Sequence, residues 1–451
     1  MDETPIASTT GTRGLSRQIA EFTVSLSLDR LPANVLSNAK LAVLDCLGVS
    51  VLAAGEEIGG KLLRYARNHL GPGSCTVWGS DLTLNPRDAA LVNGTLAHGL
   101  DFDDRGHAST YTLAAALAAG EGCGASGART LEAFIAGREA MMTLEPLFAR
   151  RSSGIGPGAR GWHSNGILGP IAAACAASKV LDLDVSRTLA AVGLATGSCG
   201  ALTRDGGTMA KPFRVGHAAS AGLTCAYLAR EGFTSDETAI EARYGLLDAV
   251  GPLQEDILEA LGRGLGSDFR LGREVKLKRF GSCTATHDGV EAMLRLVQEK
   301  GPLEPSEIDF IECDMHPYPL VRMQPERGFE GRFSMAYCLS LALLHGHLDP
   351  ENFTDERARD PELRDLLGRV RHVPGSDSLV VRLKDGTTVT EPVRTPADLK
   401  GREAVLNKFN ACVDRILPEA QRTAVPEIVD GLEESPSVAP LMDALRLRPA
   451  H

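Results

Sequence analysis

Residues 168–181 read LGPIAAACAASKVL, and a second run at 186–202, SRTLAAVGLATGSCGAL, has the same texture. Both read as helices built from small residues. Ala and Gly let helix backbones approach closely, so a tightly packed helical bundle is expected. The pattern extends towards the N-terminus. RQIAEFTVSLSL (17–28) and NVLSNAKLAVLDCLGVSVLAAG (34–55) place apolar residues three and four apart, with Pro32 between them marking a helix start or a turn. Residues 86–100, 110–121 and 129–144 continue as helices. TSDETAIEARYG (234–245) opens with a capping box, Thr234 with Glu237 three residues on, and predicts another helix there.

The texture changes near residue 270. SEIDFIECDMHPY (306–318) alternates apolar and polar residues as a half-buried strand does. DSLVVRLKDGTTVTEPV (377–393) is a hairpin signal, with Asp385-Gly386 suited to a tight turn that needs positive φ. Helices sit between these runs at 286–300, 333–346 and 360–371, the last with Asp360 as N-cap and Pro361 at its first position. From about 402 the chain returns to helix. The fold class expected is therefore mainly α: a helical unit (1–269), an inserted smaller α/β unit (270–401), and a C-terminal tail (402–451) that packs back on the first unit.

A chain of 451 residues suits two or three structural units, and 43% apolar content supplies a sizeable core. The 58 acidic against 47 basic residues give a net charge of −11, which argues against broad binding to nucleic acid or to an anionic membrane. An anionic substrate stays open, because a pocket needs only a few local cations. The ten cysteines are scattered and form no CxxC pair, so reduced thiols and a cytoplasmic location are expected. The polar N-terminus has no apolar signal-peptide core, and no membrane span is expected.

The candidate chemistry begins at AHGLDFDDRGHAST (97–110). Three readings compete for Asp101-Phe102-Asp103-Asp104. It is a capping loop, or an acidic metal or proton-donor box of a terpene cyclase, or an acid/base site pairing Asp101 with His107. The cyclase reading suffers from an aromatic content of only 5%, since carbocations need aromatic walls. Other polar residues stand out. His163 lies in GWHSNG, Lys211 and His217 in KPFRVGHAASAG, and Lys278, Arg279, Cys283 and His287 in KLKRFGSCTATHDG. Helix starts with nearby Lys or Arg are ready anion sites. His345 and His347, two apart, do not share a helix face and have no third ligand nearby, so metal is not expected. GxxxxGK[ST] and GxSxG are absent, and Cys283 alone is weak support for a nucleophile.

The order of these motifs resembles the MmgE/PrpD family. VNGTLAHGLDFDD, HAST, GWHSNGILGPIAAACAASKVLDLD, KPFRVGHAASAGLTCAYLAREGFTS, KRFGSCTATHDGVEAM and GRFSMAYCLSLALLHGHLDPENFTD carry the likeness over roughly residues 15–420. The family includes 2-methylcitrate dehydratases, cis-aconitate decarboxylases and iminodisuccinate epimerases. The resemblance implies a large all-helical domain formed by both chain ends, a smaller α/β lid, a homodimer, and no metal or organic cofactor. It implies a site in the cleft between the two domains, with Asp101, His107, His163, Lys211, Lys278 and Tyr318 as catalytic residues. Arg105, Arg279 and Cys283 are expected to bind substrate. This chain has Ala108 where the family usually has proline, Arg105 where threonine is common, and a short loop between Asp104 and His107. Cys283 stands where some members carry a histidine, which counts against a close cis-aconitate decarboxylase.

What the resemblance implies is a lyase, a dehydratase or decarboxylase, acting on a small di- or tricarboxylic acid by proton transfer at the carbon α to a carboxylate. An epimerase is the alternative and a non-catalytic scaffold the remote one. In that scheme Lys211, Lys278 and Arg105 or Arg279 hold carboxylates. His107 moves the proton, Asp101 orients it or relays a proton, and His163 binds substrate or acts as a second acid.

Overall fold

Among the described residues, nine α-helices dominate the N-terminal half: α1 Leu15–Ser25, α2 Ala33–Gly55, α3 Glu57–His69, α4 Pro86–Ala97, α5 Ala108–Cys123, α6 Gly127–Leu144, α7 Ser164–Val180, α8 Val185–Thr196 and α9 Ala210–Arg230. The computed structural model describes residues 14–147, 157–251, 262, 264–273, 275–301, 303–315 and 322–448. Side-chain caps set several helix starts. Asn85, Ser126 and Asp184 accept backbone N–H bonds from Asp88, Arg129 and Arg187 at the first turns of α4, α6 and α8.

Small residues do what their pattern predicts. α7 is buried along nearly its whole length, packed among α5, α6, α8 and α9. α9 also lies along α4, and a Cβ on Gly216 would fall 2.0 Å from the Leu91 carbonyl oxygen. No residue larger than glycine permits that approach. α2 is long and apolar enough to cross a membrane by length and composition, but its most apolar window is 67% buried inside the protein. It serves as a core helix, with the C-terminal helix Gly401–Val413 packed against it.

The β-structure is small. β1 Pro72–Thr76 pairs with β2 Thr83–Leu84. A four-stranded sheet takes β3 Ile308–Cys313, β4 Val370–His372, β5 Ser378–Leu383 and β6 Thr388–Pro392 in the order β4-β3-β5-β6, with only the β3–β4 pair parallel. The hairpin expected around Asp385-Gly386 joins β5 to β6, with Gly386 at φ +92°. Asp360 caps the helix Pro361–Arg369 through Glu362 and Leu363 N–H groups, again as expected. The fold is mainly α with a small α/β portion.

One hydrophobic cluster runs through α1–α9 and takes in Val405, Phe409, Val413 and Leu441 from the C-terminal helices. A second joins Phe280, Met293, Ile311, Leu339, Leu366 and Val381. The helix expected at 234–245 does not form. Asp236 instead accepts from the Thr238 N–H (2.7 Å) and hydroxyl (2.6 Å), closing a local turn. Glu237 turns outward to Arg17 at 2.9 Å rather than completing a capping box. A short side chain that bonds its own neighbours competes with the helix here and wins.

Candidate active site

α4 ends at Ala97 and α5 begins at Ala108, so residues 98–107 must reverse the chain inside the bundle. Two side-chain-bearing residues take left-handed conformations to do so, Asp101 at φ +50° and His107 at φ +63°. Such positions are strained and persist only where the surroundings fix them. The turn brings His98, Asp101, Asp103 and His107 together, all but His107 fully buried.

The contacts form one network. Asp103 accepts from both imidazoles, with His98 Nδ1 at 2.9 Å and His107 Nδ1 at 2.7 Å. The two rings meet edge-on, 4.2 Å between centroids. Asp101 lies between two ammonium groups, Lys211 Nζ at 3.1 Å on one oxygen and Lys278 Nζ at 2.6 Å on the other. Lys211 also reaches His98 Nε2 at 2.9 Å. His107 Nε2 is 3.8 Å from Asp101 Oδ1, too far for a hydrogen bond. Its other nitrogen, Nδ1, is held by Asp103.

Charge states follow from these partners. Burial alone would raise the Asp101 carboxyl, but Lys211, Lys278 and the two histidines reverse this and hold it well below the usual carboxylate range. His107 and His98 do the same for Asp103. Burial and then Lys211 push His98 down to about 4, so its ring is neutral at pH 7. Neutral His98 then donates from Nδ1 to Asp103 and accepts from Lys211 at Nε2, which fixes its tautomer. For Lys278, burial is outweighed by Asp101 and Asp103, and its ammonium is retained. Its three protons meet three acceptors: Asp101 Oδ1, the Asp101 carbonyl at 2.8 Å and the Ser282 carbonyl at 3.4 Å.

The expected residues divide on this geometry. Asp101, His107, Lys211 and Lys278 come together. Asp103, not Asp101, stands where a carboxylate orients His107. Lys278 is saturated by protein acceptors and positions Asp101, whereas two donors of Lys211 are used by described residues. His163 caps α7, its Nδ1 accepting from Asn165 N–H at 3.3 Å. Burial, then Lys211, His107 and His98 hold its imidazole well below its ordinary range, so it is neutral and suits hydrogen bonding rather than acid catalysis. Cys283 is buried close by. Burial and Asp101 raise its thiol against Lys211 and Lys278, which leaves it protonated.

Arg105 is drawn to Asp398, 2.6 Å from Nε to carboxylate. Arg279 pairs with Glu291 at 2.9 Å and is 42% exposed, with no contact to the cluster among the described residues. Tyr318 lies outside the described residues. The sequence reading passed over His98, Arg138 and Lys408. Arg138 bonds the Asp104 carboxylate and the Ser109 hydroxyl (2.6 Å), bracing the loop from α6. A signal for Lys408 existed in its partner, Asp45, a lone charge in the apolar run of α2.

Comparison with known proteins places the chain in one lineage. The MmgE/PrpD N-terminal domain model matches residues 17–259 and the MmgE/PrpD C-terminal domain model residues 280–434. Relatives named cis-aconitate decarboxylase include those of Mus musculus, 28% identical with 94% of this chain and 91% of the relative covered, and of Homo sapiens, 26% identical with 94% and 92% covered. The Aspergillus terreus enzyme of that name is 25% identical with 96% of both chains covered. The chain, matched by the family's models across both its N- and C-terminal domains, belongs to the MmgE/PrpD family.

Proposed function

We propose that the protein is a lyase, a dehydratase or decarboxylase, acting on a small di- or tricarboxylic acid by proton transfer at the carbon α to a carboxylate. The observation that carries this reading is a single network that clamps Asp101 between two ammonium groups and holds His107 on Asp103. Its relatives' names point to the same class.

A proton on a carbon beside a carboxylate leaves only if the negative charge that develops is met. Lys211 offers that charge and, among the described residues, one donor beyond its bonds to Asp101 and His98, worth on the order of 3 kcal/mol in a dry site. Asp101, ionised, keeps both ammoniums fixed and does not relay a proton. His107 donates Nδ1–H to Asp103 and so presents Nε2 as the base, and as the acid once protonated. General acid–base transfer of this kind contributes on the order of 10²–10⁴-fold. His163, neutral and bonded at Nδ1, offers Nε2–H to a substrate oxygen. Loss of a β-hydroxyl gives dehydration, and loss of a carboxylate gives decarboxylation.

His98, Asp101, Asp103 and His107 place their ligand atoms within 4.8 Å of one another, a spacing a cation could use. The chemistry does not fit one. Both Asp101 oxygens are bonded to ammonium groups, both Asp103 oxygens to imidazole N–H groups, and a dication would sit against Lys211 and Lys278. The reading is therefore metal-independent. Cys283 favours a related acid over cis-aconitate, because a protonated thiol cannot serve as an imidazolium. Ten free thiols suit the reducing cytoplasm, and a homodimer is carried over from the family resemblance.

A panel of citrate-like, aconitate-like and aspartate-derived acids, followed by proton NMR in D₂O with and without EDTA, tests this. Elimination of water or CO₂ unaffected by EDTA is expected. Deuterium entering a substrate that loses nothing would show an epimerase instead, and activity restored only by a divalent metal would overturn the metal-independent reading.

A further inference from the structure

Two buried cations outside the reacting cluster bond to the backbone on either side of Asp101. Lys408, from the C-terminal helix Gly401–Val413, donates to the Phe102 carbonyl at 2.7 Å and the Lys278 carbonyl at 3.0 Å. Arg332, beside the helix Met335–His345, donates from Nη1 to the Leu100 carbonyl at 3.3 Å and the Gly281 carbonyl at 2.7 Å. Each therefore bridges the same two segments, 100–102 and 278–281. Between the bridges lies the contact they flank, Lys278 Nζ on the carboxylate and carbonyl of Asp101.

We propose that Lys408 and Arg332 are positioning residues, two staples that hold Asp101 in its left-handed conformation and so keep it on Lys278 and Lys211. The inference rests on the function proposed above.

Each staple has its own seat. Lys408 contacts Asp45 of α2 at 2.7 Å and lies over the Phe102 ring, 3.9 Å from its centroid. Arg332 lies over Phe353 at 4.5 Å and gives Nη2 to the Pro350 carbonyl at 3.1 Å. Gly281 is what admits it, since a Cβ there would come within 3.0 Å of Nη1. A buried cation is costly unless its donors are used, and here four of the acceptors are main-chain carbonyls of 100, 102, 278 and 281. Main-chain carbonyls fix backbone position, whereas a carboxylate partner would fix only a side chain. The staples also come from different cores, Lys408 from the helical cluster and Arg332 from beside the smaller one. Asp101 is thus held correctly only while the two units are docked.

The experiment compares Lys408→Met and Arg332→Met with the wild-type chain. Each removes every donor of one staple, and either stands in if the other fails to fold. Folded fraction and Tm are measured first, then kcat and KM on the acid that the wild type turns over, then a crystal structure. The expected result is a kcat at least tenfold lower per folded molecule, with KM within about threefold, and a Lys278–Asp101 contact opened past hydrogen-bonding range. A lower Tm with kcat within twofold of wild type would reduce the staples to stability alone and overturn the proposal. If the wild type turns over no acid in the panel, the proposed function fails separately. The crystal structures then decide: an unmoved Asp101 still bonded to Lys278 overturns the staples, and a displaced one supports them.

Discussion

Two acidic turns in this molecule solve the same geometric problem in opposite ways. The hairpin turn between β5 and β6 places positive φ on Gly386, at +92°, and Asp385 satisfies it locally by accepting the Thr387 N–H at 2.7 Å. The turn between α4 and α5 places positive φ on Asp101 and His107, residues whose Cβ atoms make it costly, about 1–3 kcal/mol each. Asp103 is met within the turn by His98 and His107, but Asp101 and Asp104 draw on cations far along the chain, Lys211, Lys278 and Arg138. The hairpin is exposed and obeys local rules. The buried turn breaks them and depends on long-range cations to do so. Strain and buried charge concentrated at one turn are what a reactive site needs and a structural turn avoids.

The largest contrast between the two should come from removing a cation. Lys278→Met strips one side of buried Asp101 and is expected to cost roughly 3–5 kcal/mol in denaturant unfolding. Lys384→Met, on the exposed hairpin, should stay within about 0.5 kcal/mol. Equal effects would erase the distinction.

Acid should act mainly through the buried groups. His98 is held down to about 4 in the folded state by burial and Lys211, against about 6.5 in the unfolded chain. Between those values only the unfolded chain binds the proton, so stability falls as pH drops from 6.5 towards 4, by on the order of 3 kcal/mol. Burial holds His287 lower still, to about 3, which adds to the same slope. Asp45, raised to about 6 by burial against Lys408, works the other way and favours the folded state as pH falls through 6. The stabilisation from Asp101 and Asp103, whose pKa values are depressed, is present above the unfolded value near 4 and is lost below it. A pH series of Tm for the wild type and His98→Gln reads this. The variant should have a shallower slope from 6.5 to 4, and an unchanged slope would refute the assignment.

The smallest effect belongs to the hairpin glycine. Gly386→Ala should cost about 1 kcal/mol and leave turnover unchanged, as measured by denaturation and initial rates. A loss of turnover there would mean the hairpin reaches the site.

The same contrast explains what could be read in the sequence. Asp385-Gly386 and Asp360-Pro361 act on neighbours within three residues, so their turn and cap were legible. Small-residue helices declared the bundle because glycine and alanine at those positions have one common use, close packing. The predicted helix at 234–245 failed because Asp236 bonded its own neighbours first. Motif order singled out Asp101, His107, Lys211 and Lys278, which the fold brings together. It did not show how they contact one another. That Asp103 rather than Asp101 holds His107, and that Lys278 is spent on Asp101, depends on a left-handed turn that no local pattern announces. Lys408 lies 306 residues from Phe102, and only the folded chain brings them together. Arg279 is the opposite case. Beside Lys278 in sequence, it turns to Glu291 instead.

In the proposed mechanism His107 moves a proton at the carbon beside a carboxylate. This step is tested most directly by running one accepted acid in D₂O with wild type and with folded His107→Ala, following product and deuterium by proton NMR. The variant is expected to be at least 100-fold slower in both readouts, with substrate still bound. A variant that forms product at a rate comparable to wild type would contradict it.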